Sequence, residues 1–284
     1  MKIAAVALTL LMSVAASAQV APPPQPDAQQ TPLWQFWLKG NAQLYENFFQ
    51  ASNSAASEDV TALQGEVGAS LRVTNTMRAY GSVNTIHYDG EGLGTSPGLR
   101  VGLRADARPH AFDVYVEQLS NRPSFDVGDQ FDRADIRTLF ADYSYRVLPQ
   151  WQLGVDAEVQ QQKFDITDSR DNVFTAVGGS VRWRPTRKFS PELGVRIGHR
   201  EVDDDRFSYD QRDVYLQVRS SLTPKLYLSG RIRHRTREDD TRNQLTLGAD
   251  YSLTEHLALN FYGAHEETDD FVTTMWLGGA TWKW

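Results

Sequence analysis

A two-residue alternation runs through almost all of this chain, and a sequence so patterned can fold only as strands. Its last stretch shows the rule, with Thr274, Trp276, Gly278, Ala280, Trp282 and Trp284 forming one track of small or aromatic side chains. Earlier, Leu63, Gly65, Val67, Ala69, Leu71 and Val73 alternate with Gln64, Glu66, Ser70 and Arg72. The pattern returns with Trp151, Leu153, Val155, Ala157 and Val159 against Gln152, Asp156, Glu158 and Gln160. It recurs with Leu245, Leu247, Ala249, Tyr251 and Leu253 against Gln244, Thr246, Asp250 and Ser252. Successive side chains of a strand point to opposite faces, so each segment has one face for an apolar medium and one for water.

Lys2, the apolar Ile3 to Val14 and the triplet Ala16-Ser17-Ala18 have the layout of a cleaved secretory signal peptide, residues 1–18. Residues 19–32 contain Pro22, Pro23, Pro24 and Pro26 among Gln and Ala, which predicts an extended periplasmic linker. The chain has no cysteine, which leaves neither an acyl anchor nor a disulfide framework. Beyond residue 18 no apolar run approaches the roughly 20 residues of a membrane helix. Only helices and closed barrels satisfy every backbone group inside a bilayer, so an exported membrane chain of this kind must close a sheet.

The predicted fold is therefore all-β: a transmembrane antiparallel up-and-down barrel over residues 33–284, of about 14 strands within a range of 12–16. Short turns such as Leu148-Pro149-Gln150, Thr223-Pro224-Lys225 and Thr254-Glu255-His256 alternate with predicted longer loops. The longer set is Asp89 to Pro97, Asn121 to Arg133, Asp165 to Asn172, Asp203 to Gln211 and Glu238-Asp239-Asp240. With both termini on the short-turn side, the strand number must be even. A secreted β-sandwich is the rival fold. Against it, Trp34, Phe36, Trp151, Trp183, Trp276, Trp282 and Trp284 fall at strand ends on the apolar track, as in an interfacial belt.

From Trp34 to Trp284 the chain resembles the bacterial outer-membrane β-barrel superfamily, on the strength of its alternation and of the closing track through Trp276, Trp282 and Trp284. That resemblance implies a Gram-negative outer-membrane location, contact with lipid and lipopolysaccharide, and recognition of the C-terminal track by the barrel assembly machinery. It names no subfamily, because fold alone does not fix activity.

The lumen parity carries the chemistry. Arg100 and Arg104 lie one strand from Asp113 and Glu117, and Asp156 and Glu158 one strand from Arg182 and Arg184, which predicts ion pairs along the wall. Arg196, Arg200, Arg219, Arg231, Arg233 and Arg235 share the lumen face with only Glu192 and Asp213 nearby, a predicted basic track. Guanidinium groups bind carboxylates, sulfates and phosphates in a planar fork, and a one-signed pore wall concentrates counter-ions. The bland reading is that Asp250, Glu266 and loop acids neutralise the track. Tyr80, Tyr115, Tyr215, Tyr227 and Tyr262 add flat surfaces suited to sugar rings.

Other chemistry is sparse. Acidic runs such as Asp203-Asp204-Asp205 and Glu238-Asp239-Asp240 read first as solvated loops and second as partners, through divalent cations, of lipopolysaccharide phosphates. No metal-ligand or cofactor motif is present, and Gly92 and Gly94 read as loop flexibility. His87, His199, His234 and His265 fall on the lipid parity near the outer ends of strands. His265 with Glu267 or Asp269 is the one hydrolase arrangement conceivable, and no motif accompanies it. A net charge of -7 with basic residues confined to the lumen argues against nucleic-acid binding. The sequence thus predicts a non-enzymatic, porin-like channel for small polar, anionic or oligosaccharide solutes. The alternative is a non-transporting or export-associated surface barrel.

Overall fold

A computed structural model describes residues 32–46, 59–89, 93–127, 130–166, 170–203, 208–237, 240–268 and 272–284. The expected signal peptide, the linker up to residue 31, and Gly92, Asp204, Asp205, Glu238, Asp239, Asp269 and Asp270 lie outside the described residues.

Among the described residues the chain forms fourteen strands. They are β1 (Trp34–Glu46), β2 (Val60–Arg72), β3 (Met77–Asp89), β4 (Thr95–Ala107), β5 (His110–Val127), β6 (Gln130–Leu148) and β7 (Trp151–Phe164). The second half holds β8 (Asn172–Trp183), β9 (Phe189–Val202), β10 (Tyr209–Ser221), β11 (Leu226–Arg237), β12 (Asp240–Ser252), β13 (Leu257–Thr268) and β14 (Val272–Lys283). Each pairs antiparallel with its sequence neighbours, and β1 pairs with β14 to close a barrel. Phe36 N–H donates to Trp284 O at 3.0 Å and Trp284 N–H returns the bond at 3.2 Å, so the closing seam is fully paired at that rim.

Turn chemistry fixes the register on the short-turn rim. In Leu222-Thr223-Pro224-Lys225-Leu226 the Thr223 hydroxyl accepts from Leu226 N–H at 2.9 Å while Leu222 N–H donates to Leu226 O at 3.0 Å. Leu253-Thr254-Glu255-His256-Leu257 repeats this, with Thr254 accepting from Leu257 N–H at 3.0 Å. A threonine hydroxyl that captures a backbone N–H two or three residues on stabilises so tight a reversal. The opposite, loop rim differs from expectation at one place. Asn121 to Arg133 is largely strand, because β5 and β6 extend past their neighbours and leave only residues 128–129 between them. A bulge between Leu119 and Arg122, with Asn121 at φ 53°, bends this longer hairpin.

The alternation sorts the two faces as predicted. Val67, Val83, Val155, Leu193, Ile197, Leu216, Ile232, Leu247 and Phe261 point outward and are exposed, forming the largely aliphatic band a bilayer requires. The aromatic belt is one-sided: Trp34, Phe36, Trp151, Trp183, Trp282 and Trp284 crowd the short-turn rim. Trp276 stands farther along β14, its ring packed where a Gly263 side chain would have been.

Inside, toward the loop rim, apolar side chains join the polar ones. There Tyr45, Val60, Ala62, Ile86, Tyr88, Leu93, Ala264 and Met275 pack into one buried apolar cluster. Leu119, Ala134, Ile136 and Phe164 form a second across the bent hairpin. Alternation assigns a side chain to the inside but does not say whether it meets water or its neighbours. Here it meets the side chains of adjoining strands, β13 through β1 to β3 in the first cluster and β5 to β7 in the second.

Candidate functional site

The charged lumen is built by register. Arg100 faces Glu117 across β4 and β5, and donates from Nε and Nη2 to Glu117 Oε1 at 3.1 and 2.6 Å. Arg104 faces Asp113 and donates from Nε to Oδ2 at 2.9 Å, while Tyr80 OH donates to the other carboxylate oxygen at 2.7 Å. These pairs are the predicted ones.

The partners of Asp156 and Glu158 are not the predicted Arg182 and Arg184. Arg196 reaches both, with Nε 3.1 Å from Asp156 Oδ2 and Nη2 donating to Glu158 Oε2 at 2.8 Å. The reason lies on the intervening strand. Gly178 of β8 is the register partner of both Asp156 and Arg196, and a Cβ there would sit 2.3 Å from Asp156 Oδ1. The missing side chain lets β7 and β9 meet over β8. Arg182 turns instead to its register partner Glu192, donating from Nε at 2.6 Å, and Arg184 donates to Gln152 Oε1 at 2.8 Å. Arg184 stands beyond β8 at the short-turn mouth. There burial and then the crowding of Arg182, Arg146, Arg219 and Arg108 hold it below the usual arginine range.

The basic track is present but more fully matched than its sequence suggests. Arg233 and Arg235 both clamp Asp213, the latter from Nε at 2.7 Å, and Asp213 is almost wholly buried. Arg200 donates to Gln162 and Asn172, and Arg219 reaches Glu192 at 3.7 Å and Gln217 at 3.1 Å. Arg237 and Arg242, which sequence reasoning passed over, extend the track toward the loop rim. Arg237 donates to Gln211, and Arg242 to Asp240 and Glu266. Arg231 is different. Its guanidinium lies 4.0 Å over the Tyr215 ring, its register partners Gln217 and Thr246 are neutral, and it joins no ion pair among the described residues.

The opposite sign collects on β5 to β7. Asp113, Asp142 and Asp156 stand in register on adjoining strands. Arg104 holds the first and Arg196 the last, while Asp142 joins no ion pair among the described residues. Asp142 was also passed over, although its parity between outward Ala141 and Tyr143 placed it inside.

The tyrosines offer little free face. Tyr80 lies over Gly102, Tyr215 fills the place of a Gly194 side chain beneath Arg231, and Tyr115 stacks on Phe140 under Arg100. Tyr262 packs beside Gly248 and its hydroxyl reaches Thr246. The sugar-platform expectation therefore narrows to Tyr227, opposite Asp250. Among the described residues no set of side chains has metal-ligand geometry. His265 pairs with Thr274 at 3.2 Å, its register partner across β13 and β14.

No protein-family profile matches the chain, and no curated protein matches its sequence. Similarity appears in three dimensions. A loop L8 deletion mutant of OmpT, an outer membrane protein of Vibrio cholerae, superposes with a TM-score of 0.53 at 9% identity, over 88% of this chain and 98% of that one. A FadL homologue from Pseudomonas aeruginosa gives 0.52 at 9% identity, over 88% and 90%. An anion-selective porin from Comamonas acidovorans gives 0.50 at 9%, over 88% and 98%. The chain has the fold of a bacterial outer-membrane β-barrel.

Proposed function

We propose that this protein is a non-enzymatic outer-membrane channel of a Gram-negative bacterium, passing small polar solutes by diffusion with a preference for anionic or acidic-sugar ones. The observation that carries the reading is a closed barrel whose inward charge is segregated onto two walls, leaving Asp142 on one and Arg231 on the other outside any ion pair among the described residues. Fixed charges in a confined, partly desolvated bore concentrate counter-ions and orient dipolar solutes. Fourteen strands fall between the roughly eight whose interior side chains fill and the 16–18 of open aqueous porins, which suits a narrow pore. The fold-level relative described as an anion-selective porin is consistent with this reading. The exported location, the assembly of the barrel through the Trp276, Trp282 and Trp284 track, and contact with lipopolysaccharide belong to the same proposal.

One observation favours a second reading. Two packed apolar clusters line the inner wall at the loop rim, a feature that suits a surface or export-associated barrel better than a freely wetted pore. Single-channel conductance of the refolded chain in planar bilayers separates the two. Steady anion-selective current that weakens in Arg231→Gln supports the channel, and silence from a verifiably folded barrel supports the closed barrel.

A further inference from the structure

All six histidines lie at the rims of the barrel. The two at the short-turn rim are packed in aromatic company: His110 bonds Tyr143 OH at 2.7 Å beside Tyr145, and His256 bonds Lys283 O at 2.9 Å against Trp282. The other four stand at the loop rim and follow a single rule. Each points outward near the end of an odd-numbered strand, and its Nδ1 bonds the register partner on the next strand. The pairs are His87 with Thr95 at 3.0 Å, His199 with Asp210 at 2.8 Å, His234 with Asn243 at 2.9 Å and His265 with Thr274 at 3.2 Å.

Their level on the barrel is set by the residues above and below them. One or two outward steps toward the turns come Val83, Ile197, Ile232 and Phe261, each more than half exposed and part of the aliphatic band. One outward step toward the loops come Asp89, Glu201 and Glu267, all exposed, with Thr236 at the fourth position. The imidazoles therefore occupy the boundary between hydrocarbon and headgroups. The bond at Nδ1 fixes each ring and leaves Nε2 for the surroundings. Against Asp210 and Asn243 Oδ1 the Nδ1–H must donate, so Nε2 donates in turn only when the ring is protonated. The charged groups facing these rings are the carboxylates Asp89, Glu201, Asp210 and Glu267 and the guanidinium of Arg212, on β10 between His199 and His234.

We propose that His87, His199, His234 and His265 form a row that binds the phosphates of lipid headgroups in the leaflet at the loop rim. Each protonated Nε2–H donates to a phosphate oxygen, and the carboxylates one step farther out accept from headgroup ammonium or hydroxyl groups. On β3, β9 and β13 the order of apolar residue, imidazole and carboxylate matches the order in a lipid of acyl chain, phosphate and polar cap, and on β11 Thr236 takes the carboxylate's place. The occupant is a bilayer lipid and not free phosphate, because the row is continuous with the aliphatic band. The inference rests on the membrane reading of the outer face and is independent of whether the lumen conducts.

The test uses the full chain refolded in maltoside micelles and titrated with dioleoyl phosphatidic acid, with retained lipid counted by native mass spectrometry. We expect apparent affinity roughly tenfold higher at about pH 5.5 than at about pH 8, the span over which imidazoles gain charge. His→Asn at all four positions keeps a donor near Nδ1 and removes Nε2, and should abolish both the binding and its pH dependence. His→Gln at the four positions extends a neutral amide toward the Nε2 site and should remove the pH dependence. Equal retention of dioleoylglycerol, unchanged binding by the His→Asn protein, or full displacement by millimolar inorganic phosphate would overturn the proposal. Insertion of wild type into phosphatidylcholine vesicles is measured in parallel. Failure to insert overturns the membrane reading as well, whereas insertion without phosphate preference overturns the headgroup row alone.

Discussion

The wall made by β5 to β7 and the wall made by β9 to β12 turn the same aliphatic face outward and opposite charges inward. One lines up Asp113, Asp142 and Asp156, and the other carries Arg196, Arg231, Arg233 and Arg235. The outer face answers to a single medium and is uniform around the barrel. The inner face is free to differ from wall to wall, and the difference is where a channel's selectivity would reside. Arg196 ties the two walls together by crossing β8 to Asp156 and Glu158.

The largest effect should come from breaking the basic wall at Asp213, its most deeply buried acid. Asp213→Ala strands Arg233 and Arg235 as unpaired buried charges and should cost about 3–5 kcal/mol in urea unfolding from lipid. Next, Val155→Arg on one wall and Ile232→Arg on the other should each cost roughly 2–4 kcal/mol at mid-bilayer. Gln152→Arg, on the lumen side of the same strand as Val155, should be tolerated. A large difference between Val155→Arg and Ile232→Arg would mean the outer faces are not equivalent. Arg104→Ala removes a pair whose arginine side chain is 46% exposed, and should cost no more than about 1 kcal/mol. Smallest in stability, within about 0.5 kcal/mol, and most telling for the comparison are Arg231→Gln and Asp142→Asn. Reversal potentials in a salt gradient should shift toward cations for the first and toward anions for the second. Shifts of the same sign would show that the walls do not act as separate fields.

Strand positions and faces were legible because lipid on one side and water or protein on the other enforce period two, residue by residue, from Trp34 to Lys283. The pairs Arg100 with Glu117 and Arg104 with Asp113 were legible for the same reason, since nearest-strand register alone predicts them. The switch of Asp156 and Glu158 to Arg196 was not, because it depends on a contact across two strands that Gly178 permits by having no side chain. Asp142 and Arg242 escaped notice because single charges inside strands carry no motif, and only their neighbours tell a paired charge from an uncompensated one. The apolar cluster at the loop rim was hidden by the opposite problem. Ile86, Tyr88 and Met275 alternate correctly, and sequence parity cannot say whether inward side chains of adjoining strands meet one another or water.

The seam between Phe36 and Trp284 has a temporal consequence. β1 and β14 are the two described strands farthest apart in the chain, so the seam between them can form only after both have been made. An open edge in hydrocarbon leaves a row of backbone donors and acceptors unsatisfied. The chain therefore has no stable halfway barrel. Closure is then a single late step that waits for β14, and a protein lacking that strand should be lost as a whole rather than survive as a thirteen-strand remnant.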